Sequence, residues 1–142
     1  MTDQSQLDAN ILNDVADALI YSDRNGTITR WNRASTALFG FTAEDALGQN
    51  LDLIIPEHLR AAHWKGFEAA LASGAMKLAG RPTLTRALHK SGRKLYIEMT
   101  FALVRDAGGS VQGSVAMARD VTERVERERA AKASQDKASH NS

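Results

Sequence analysis

The chain has 142 residues, a formal net charge of +1 and 43% apolar residues. This length suits one domain with a single core, and the near-zero charge gives no electrostatic reason to expect nucleic acid or an acidic membrane as a partner. Cysteine is absent, which excludes disulfides, thiolate nucleophiles and cysteine-bound zinc or iron–sulfur sites. The N-terminus is polar and no apolar run approaches the length of a membrane span, so we expect a cytoplasmic protein.

The first 31 residues predict a helix followed by a β-hairpin. Apolar residues recur at helical spacing from Leu7 to Val15, which predicts a short amphipathic helix over 6–16. Residues 18–22 and 27–31 have the pattern of two antiparallel strands, and Asp23-Arg24-Asn25-Gly26 forms the turn between them. Asn-Gly is a strong hairpin signal because both residues tolerate a positive φ.

Short helical pieces are predicted between the hairpin and residue 55. Asn32 is placed to cap a helix that runs through Phe39, with Gly40 ending it. Thr42 is placed to cap a second helix that carries acidic residues in its first turn. Residues 51–55 form a third apolar fragment. Several short helices framed by strands are typical of an open pocket wall rather than of a helical bundle.

Residues 56–74 predict a longer helix. Pro56 suits a first helical position and Gly74 suits a stop just past the end. The residues expected on its apolar face are Leu59, His63, Phe67, Ala70 and Leu71, and those expected away from it are Arg60, Lys65 and Glu68. His63 therefore stands in an apolar stripe, where it is either a hydrogen-bonded core histidine or a ligand of a bound group.

The rest of the chain predicts three strands. Residues 76–89 give the weakest pattern, because Gly80 and Pro82 interrupt it and indicate an edge strand or a bulge. Residues 93–104 alternate cleanly, with one face formed by Leu95, Ile97, Met99, Phe101 and Leu103. Residues 111–119 alternate again, with Val111, Val115 and Met117 on one face. Two strands, then helices, then three strands predict an α+β fold, in which helices cover one face of a five-stranded antiparallel sheet.

A last helix is predicted from Asp120 onward. Asp120 is placed to cap it and Glu123 occupies the capping-box position. The sequence becomes charged and alanine-rich beyond Val125, and 134–142 is expected to fray. We therefore divide the chain into an N-terminal flanking helix (1–16), a central domain (17–120), and a C-terminal helix with a disordered tail (121–142).

Several short motifs lie at the predicted turns and helix ends. They are Asp23-Arg24-Asn25-Gly26 with Ile28 and Trp31-Asn32, Leu38-Phe39-Gly40-Phe41, Gly48-Gln49-Asn50, His89-Lys90-Ser91-Gly92, and Arg119-Asp120-Val121-Thr122-Glu123-Arg124. Together they resemble a PAS domain over residues 11–124. The resemblance implies the PAS fold with a cavity between sheet and helices, and a sensory rather than enzymatic role. It also implies a homodimer formed through the flanking helices, with 121–142 carrying the signal to a downstream signalling protein.

One stretch resembles a particular branch of this family. Pro56-Glu57, Arg60 and His63 resemble the segment that supplies the proximal histidine of heme-binding gas-sensor PAS domains, and the interval from His63 to Gly92 is similar too. The resemblance implies that His63 coordinates the iron of heme b, and that a diatomic gas or the redox state is sensed. The cofactor site implied in this way consists of His63, Phe67, Leu95, Ile97, Met99, Phe101, Val115 and Met117.

The sequence departs from the two best-known cofactor patterns of the family. Thr83 stands where the gas sensors typically place an arginine that holds oxygen or a propionate, so oxygen stabilisation like theirs is not implied. Leu51 stands where the light-sensing branch has its reactive cysteine, which excludes that flavin photochemistry. The second interpretation is a PAS module that binds a small organic metabolite, or a ligand-free dimerisation and protein-interaction domain in which His63 is a core residue.

Overall fold

The computed structural model describes residues 2–76 and 80–140. Its elements in chain order are α1 (Thr2–Asp14), β1 (Ala18–Asp23), β2 (Ile28–Trp31), α2 (Arg33–Phe39), α3 (Ala43–Ala46), the 3₁₀ turn η1 (Leu51–Ile54), α4 (Glu57–Ser73), β3 (Thr83–Leu88), β4 (Lys94–Arg105), β5 (Val111–Asp120) and α5 (Thr122–His140). The strand predicted across 76–89 is thus confined to its second half, and part of the predicted range, 77–79, lies outside the described residues.

The strands form one antiparallel sheet in the order β2-β1-β5-β4-β3. This arrangement confirms the predicted α+β fold with a five-stranded antiparallel sheet. The first strand lies beside the last at the centre, where Ile20 pairs with Ala116 and Ala18 with Ala118. We call the face that carries these residues, together with Met99 on β4, the inner face.

The core lies between the inner face and the short helical segments. Phe39 of α2, Ala46 of α3 and Ile54 of η1 are buried against it. The buried residues contributed by the sheet are Ala18, Ile20, Ile28, Trp31, Ala87, Leu95, Ile97, Met99 and Ala118. The segment from α2 to η1 therefore forms the helical cover of the inner face, as the sequence predicts.

Helix caps follow the predicted residues in this cover. The Asn32 side chain accepts a hydrogen bond from the Ser35 backbone N–H at 3.0 Å, and Gly40 ends α2 with a φ of +83°. The Thr42 hydroxyl accepts from the Asp45 backbone N–H at 3.1 Å. These caps satisfy amide groups that the first turn of a helix leaves unpaired.

The turn between β1 and β2 uses one left-handed residue instead of the two that Asn-Gly allows. Gly26 has a φ of +79°, and no residue other than glycine has a positive φ in the described chain. The Asp23 side chain supports the turn by accepting hydrogen bonds from the backbone N–H groups of Asn25 at 2.9 Å and Thr27 at 3.1 Å. The hairpin is confirmed, but a side chain rather than a second left-handed residue stabilises its turn.

The register of β5 shows which face of the sheet carries Val115 and Met117, two residues of the implied cofactor site. Met117 pairs with Thr100, and Val115 pairs with Ala102. Residues paired directly across antiparallel strands share a face, so Val115 and Met117 lie on the outer face, opposite to Met99. The inner face of β5 carries the small residues Ser114, Ala116 and Ala118 instead. Small side chains fit there because bulky ones, such as Phe101 opposite Ala116, project from β4.

The flanking helices also differ from the predicted bounds. α1 spans Thr2–Asp14 and therefore starts and ends earlier than 6–16. α5 continues to His140 where fraying was predicted from residue 134. Alanine, lysine and glutamine are good helix formers, and no glycine or proline interrupts this segment. The Asp120 carboxylate accepts a hydrogen bond from the backbone N–H of Thr122 at 2.9 Å. The predicted capping-box residue, Glu123, is the next residue along the chain.

Replacing Leu95 by alanine should lower the free energy of unfolding by about 2–5 kcal/mol, because a side chain with 0% exposure leaves a cavity in the core. Leu84 is the matched control, since it lies on the neighbouring strand, pairs with the outer-face Glu98 and is 54% exposed. Its replacement by alanine should cost about 0.5 kcal/mol or less. Urea denaturation measures both, and equal losses would contradict the assignment of the two faces.

Candidate functional site

Helix α4 carries the histidine that the sequence singles out. It spans Glu57–Ser73, with Pro56 at the N-cap and Gly74 at the C-cap with a φ of +71°. The predicted helix is therefore confirmed to within one residue at its start. Lys65 and Glu68 are exposed, as expected.

His63 is half-buried, and its surroundings favour a neutral imidazole. Its Nδ1 atom is fully buried and has no hydrogen-bond partner among the described residues. Burial lowers the pKa of His63, and the nearby Asp52 carboxylate opposes that effect with a smaller electrostatic attraction. The ring centroids of Trp64 and Phe67 lie 4.7 and 5.9 Å from that of His63. The site is thus an aromatic cluster around one neutral nitrogen base.

The apolar stripe of α4 is not part of the main core. Leu59, Phe67 and Leu71 are half-buried, yet none of them is among the side chains that pack against the core cluster. Ala70 is the most buried residue of the stripe. Hydrophobic burial therefore attaches α4 to the domain less firmly than it attaches α2, α3 and η1.

Three directional contacts hold α4 instead. Near its start, Arg60 donates from Nε to the Ile55 carbonyl at 3.0 Å. In the middle, Trp64 donates from Nε1 to Oδ1 of Asp52 at 2.8 Å. At the end, Arg105 of β4 donates to the Gly74 carbonyl. Arg60, which the sequence places away from the apolar stripe, is half-buried, because its guanidinium turns back to the Ile55 and Asp52 carbonyls.

The structure divides the eight predicted site residues into three groups. His63 and Phe67 lie together on α4. Leu95, Ile97 and Met99 are buried in the core on the inner face, and Phe101 is partly buried at its margin. Val115 and Met117 lie on the outer face. Val115 and Met117 project from the opposite face to Met99, but both line the same cavity as Phe101.

A cavity of about 550 Å³ adjoins the outer-face group. Its sheet wall includes Thr100, Ala102, Val115 and Met117, and residues 74–76 and Gly80 border it at the edge of β4. Neither His63 nor Phe67 lines this cavity. The volume is within the usual range for a small-molecule site, but the cavity is distinct from the histidine cluster.

The pairing of β3 with β4 determines which faces of the sheet Thr83 and Arg86 occupy. Thr83 pairs with Met99 and therefore belongs to the inner face, where it offers a hydroxyl and no positive charge. Arg86 pairs with Tyr96 on the outer face, and its guanidinium lies 5.4 Å from the centre of that ring. Arg86 consequently cannot replace the arginine that is missing at Thr83 without a shift of strand register.

The residues around His63 suit a group that needs one protein ligand. Within the described residues, no three His, Asp or Glu side chains cluster as a metal site, so a multidentate metal ion finds no cage there. A heme iron needs only one axial imidazole from the chain. His63 offers one such imidazole, which its burial keeps neutral, beside half-buried apolar residues that do not belong to the core cluster.

The sequence pattern does not single out Trp64 or Asp52 as site residues. Trp64 directly follows His63 and lies at the edge of the predicted apolar face. Asp52 lies within the apolar fragment 51–55. A hydrogen bond between residues twelve positions apart leaves no periodic signal. A large aromatic residue directly beside the predicted apolar stripe of α4 is the hint that the sequence contains.

Residues 6–121 match the family described as the PAS fold. The chain belongs to the PAS family. This membership confirms the resemblance inferred from the turn and cap motifs, and it agrees with the observed sheet order. A crystal structure of a PAS domain from Colwellia psychrerythraea superposes with a TM-score of 0.73 at 24% identity, covering 85% of this chain and 99% of that one.

Three curated proteins contain a similar PAS segment. An uncharacterized protein of Azorhizobium caulinodans is 36% identical over 115 residues, 80% of this chain and 15% of that protein. Sensor protein FixL of Bradyrhizobium diazoefficiens is 38% identical over 53 residues, 37% of this chain and 10% of that protein. Oxygen sensor protein DosP of Escherichia coli is 26% identical over 86 residues, 61% of this chain and 11% of that protein. This chain therefore corresponds to a small part of each relative.

The length and hydropathy of the helices bear on whether the chain could span a membrane. Within 2–76 and 80–140, no helix combines the length and the apolar character that a bilayer span requires.

Stability should fall as the pH drops through the range in which His63 titrates. Because burial lowers its pKa below the ordinary value of 6.5, the unfolded chain binds this proton more readily, and folding loses stability below the unfolded pKa. In His63→Gln, the difference in unfolding free energy between about pH 7.5 and pH 5 should be smaller than in the wild type. His58→Gln, on the exposed side of α4, is the control in urea titrations and should behave like the wild type.

Proposed function

We propose that this PAS module is a sensor that binds heme b through His63 and responds to a diatomic gas or to the redox state. One observation carries the proposal: the buried Nδ1 of a half-buried imidazole on α4, for which the described residues supply no hydrogen-bond partner. Buried polar atoms in native proteins are nearly always paired. A histidine in this condition is therefore better explained by a bound group than by core packing alone.

Two relatives support a sensory role. FixL is a sensor protein and DosP is an oxygen sensor protein, and both align with part of this chain. The alignment with DosP extends over 61% of the chain. Because the alignments cover only a small part of each relative, we propose the sensory role for the PAS module alone.

Each group of residues has a distinct task in this proposal. A bound heme supplies an iron centre that takes up a gas molecule or an electron. The His63 imidazole on α4 would hold the iron, and Phe67 beside it would shield the imidazole from water. Met99 and Phe101 present an apolar inner face, which keeps the local dielectric low. Thr83 places a hydroxyl rather than a guanidinium at its position on that face, so the response need not be restricted to oxygen.

The signal would leave through α5, which is joined to β4 at Tyr96. The Tyr96 carbonyl accepts from the Val121 backbone N–H at 2.9 Å, and the Thr122 hydroxyl accepts from the Tyr96 backbone N–H at 2.9 Å. On the outer face, Arg129 of α5 stands 4.9 Å from the centre of the Tyr96 ring. Since Leu95 and Ile97 flank Tyr96 and face inward, a shift of β4 reaches α5 directly. A downstream signalling protein would read that shift.

A second function, dimerisation with or without a ligand, is favoured by α1. Its apolar residues Leu7, Ile11 and Leu12 are 56%, 51% and 37% exposed. An apolar stripe of this kind on a helix normally packs against something. A second copy of the chain would cover it, and the two functions are compatible.

Purified protein titrated with hemin should develop a Soret band at one equivalent. His63→Ala should abolish the band or weaken the affinity by at least about tenfold, because it removes the only axial ligand proposed from this chain. His58→Ala controls for nonspecific binding, since His58 is exposed on the same helix. Equal spectra for the two variants would refute heme binding through His63 and leave the dimerising module as the best account.

Leu7→Asp should reduce the mass of the protein in solution, because a charge would enter the covered stripe of α1 at the dimer interface. Leu47→Asp is the matched control: Leu47 is 44% exposed but lies at the end of α3, away from α1. Sedimentation velocity measures the mass of each. A wild type that is already monomeric at high concentration would contradict the proposed dimer.

A further inference from the structure

Trp64 joins three separate segments of the chain. Its ring lies against Gly26 in the β1–β2 turn. Its Nε1 atom donates to Asp52 in η1 at 2.8 Å. Its edge meets the ring of His63, with centroids 4.7 Å apart and planes at 80°. One side chain thus connects the histidine helix to the hairpin and to the helical cover.

The contact with Gly26 leaves no room for any other residue. A Cβ atom at this position would lie 2.5 Å from one ring carbon of Trp64 and closer still to a second. Gly26 therefore meets two demands, a φ of +79° and direct contact with an indole face. Gly48 meets only the first demand, because its φ is +87° and no atom of the described residues lies within 4 Å of the corresponding Cβ position.

The surfaces that receive Trp64 are themselves fixed. The Gly26 carbonyl accepts from the Leu51 backbone N–H at 3.0 Å, so the turn and η1 move together. The Asp52 backbone N–H donates to the Asn50 side chain at 2.8 Å. The Asp52 carboxylate also stands 3.9 Å from Nε of Arg60. Trp64 therefore inserts into a preformed corner, which we call the Gly26–Asp52 corner.

This corner matters because the core does not hold α4. Phe67 and the leucines of the α4 stripe do not pack against the core cluster, so few apolar contacts resist a shift of the helix. In the middle of α4, next to His63, the contacts of Trp64 with Asp52 and Gly26 restrain the helix. Partners outside the first coordination sphere often set the affinity of a metal site in this way.

We propose that Trp64 is a positioning residue, which fixes the place and orientation of His63 on α4 by docking its indole in the Gly26–Asp52 corner. The statement about His63 as a ligand rests on the proposed function. The docking of α4 does not, because it is a property of the chain without any cofactor. The two parts can therefore fail separately.

The docking is tested by comparing Gly26→Ala with Gly48→Ala in the full chain without heme. Both substitutions impose a left-handed backbone on alanine, so both should lower stability. Only Gly26→Ala pushes the indole out, so the amides of α4 around residues 60–67 should exchange hydrogen at least about tenfold faster than in Gly48→Ala. Equal exchange in α4 for the two folded variants would overturn the docking role.

The consequence for the ligand is tested with hemin on Trp64→Phe and Trp64→Ala. Phenylalanine keeps an aromatic ring at this position but loses the bond to Asp52 and the outer ring carbons that reach Gly26, whereas alanine loses the ring altogether. We expect hemin affinity to fall in the order wild type, Phe, Ala, by about tenfold or more overall, and the iron–imidazole stretching frequency to shift in resonance Raman spectra. Unchanged affinity and frequency in both variants would overturn the positioning of His63. Faster α4 exchange in Gly26→Ala together with a wild type that binds no hemin would refute the proposed cofactor and uphold the docking.

Discussion

The pairing of the first strand with the last is the constraint on which the rest of the structure depends. β1 lies between β2 and β5, so both flanking helices leave from neighbouring central strands. Where these two strands meet, the inner face is built mainly of small residues, with Ala18 opposite Ala118 and Ser22 opposite Ser114. Small residues at the centre and bulky ones on β4 give the helical cover its shape. They also keep the last helix within reach of the sheet.

The helical cover consists of two parts that are held by different forces. The part from α2 to η1 is fixed by burial of Phe39, Ala46 and Ile54 in the core. Helix α4 is fixed by directional contacts from Arg60, Trp64 and Arg105. Hydrophobic packing is cooperative and resists small shifts, whereas a few hydrogen bonds give way one at a time. In the proposed sensor this division has a use, since the helix that carries His63 can move while the domain stays folded.

Movement of that kind would pass through β4. This strand faces the core with Leu95 and Ile97, and it faces α5 with Tyr96 between them. The pleat makes inner and outer side chains alternate within one rigid backbone. A shift on one face therefore appears on the other without any hinge. Arg124 bound to Glu98 at 3.7 Å adds a second, solvent-exposed tie at the same place.

The sequence by itself determined the order of the elements, the helix caps at Asn32, Thr42 and Gly74, and membership of the PAS family. Each of these depends on residues a few positions apart, so each leaves a periodic or short motif. Tertiary structure alone decided the facing of β5, because Val115 and Ala116 are both apolar and only pairing with β4 chooses between them. It alone decided the contact of Trp64 with Gly26 as well, since the positive φ of the turn already accounts for the glycine in the sequence. Long-range packing selects among alternatives that local patterns leave equal.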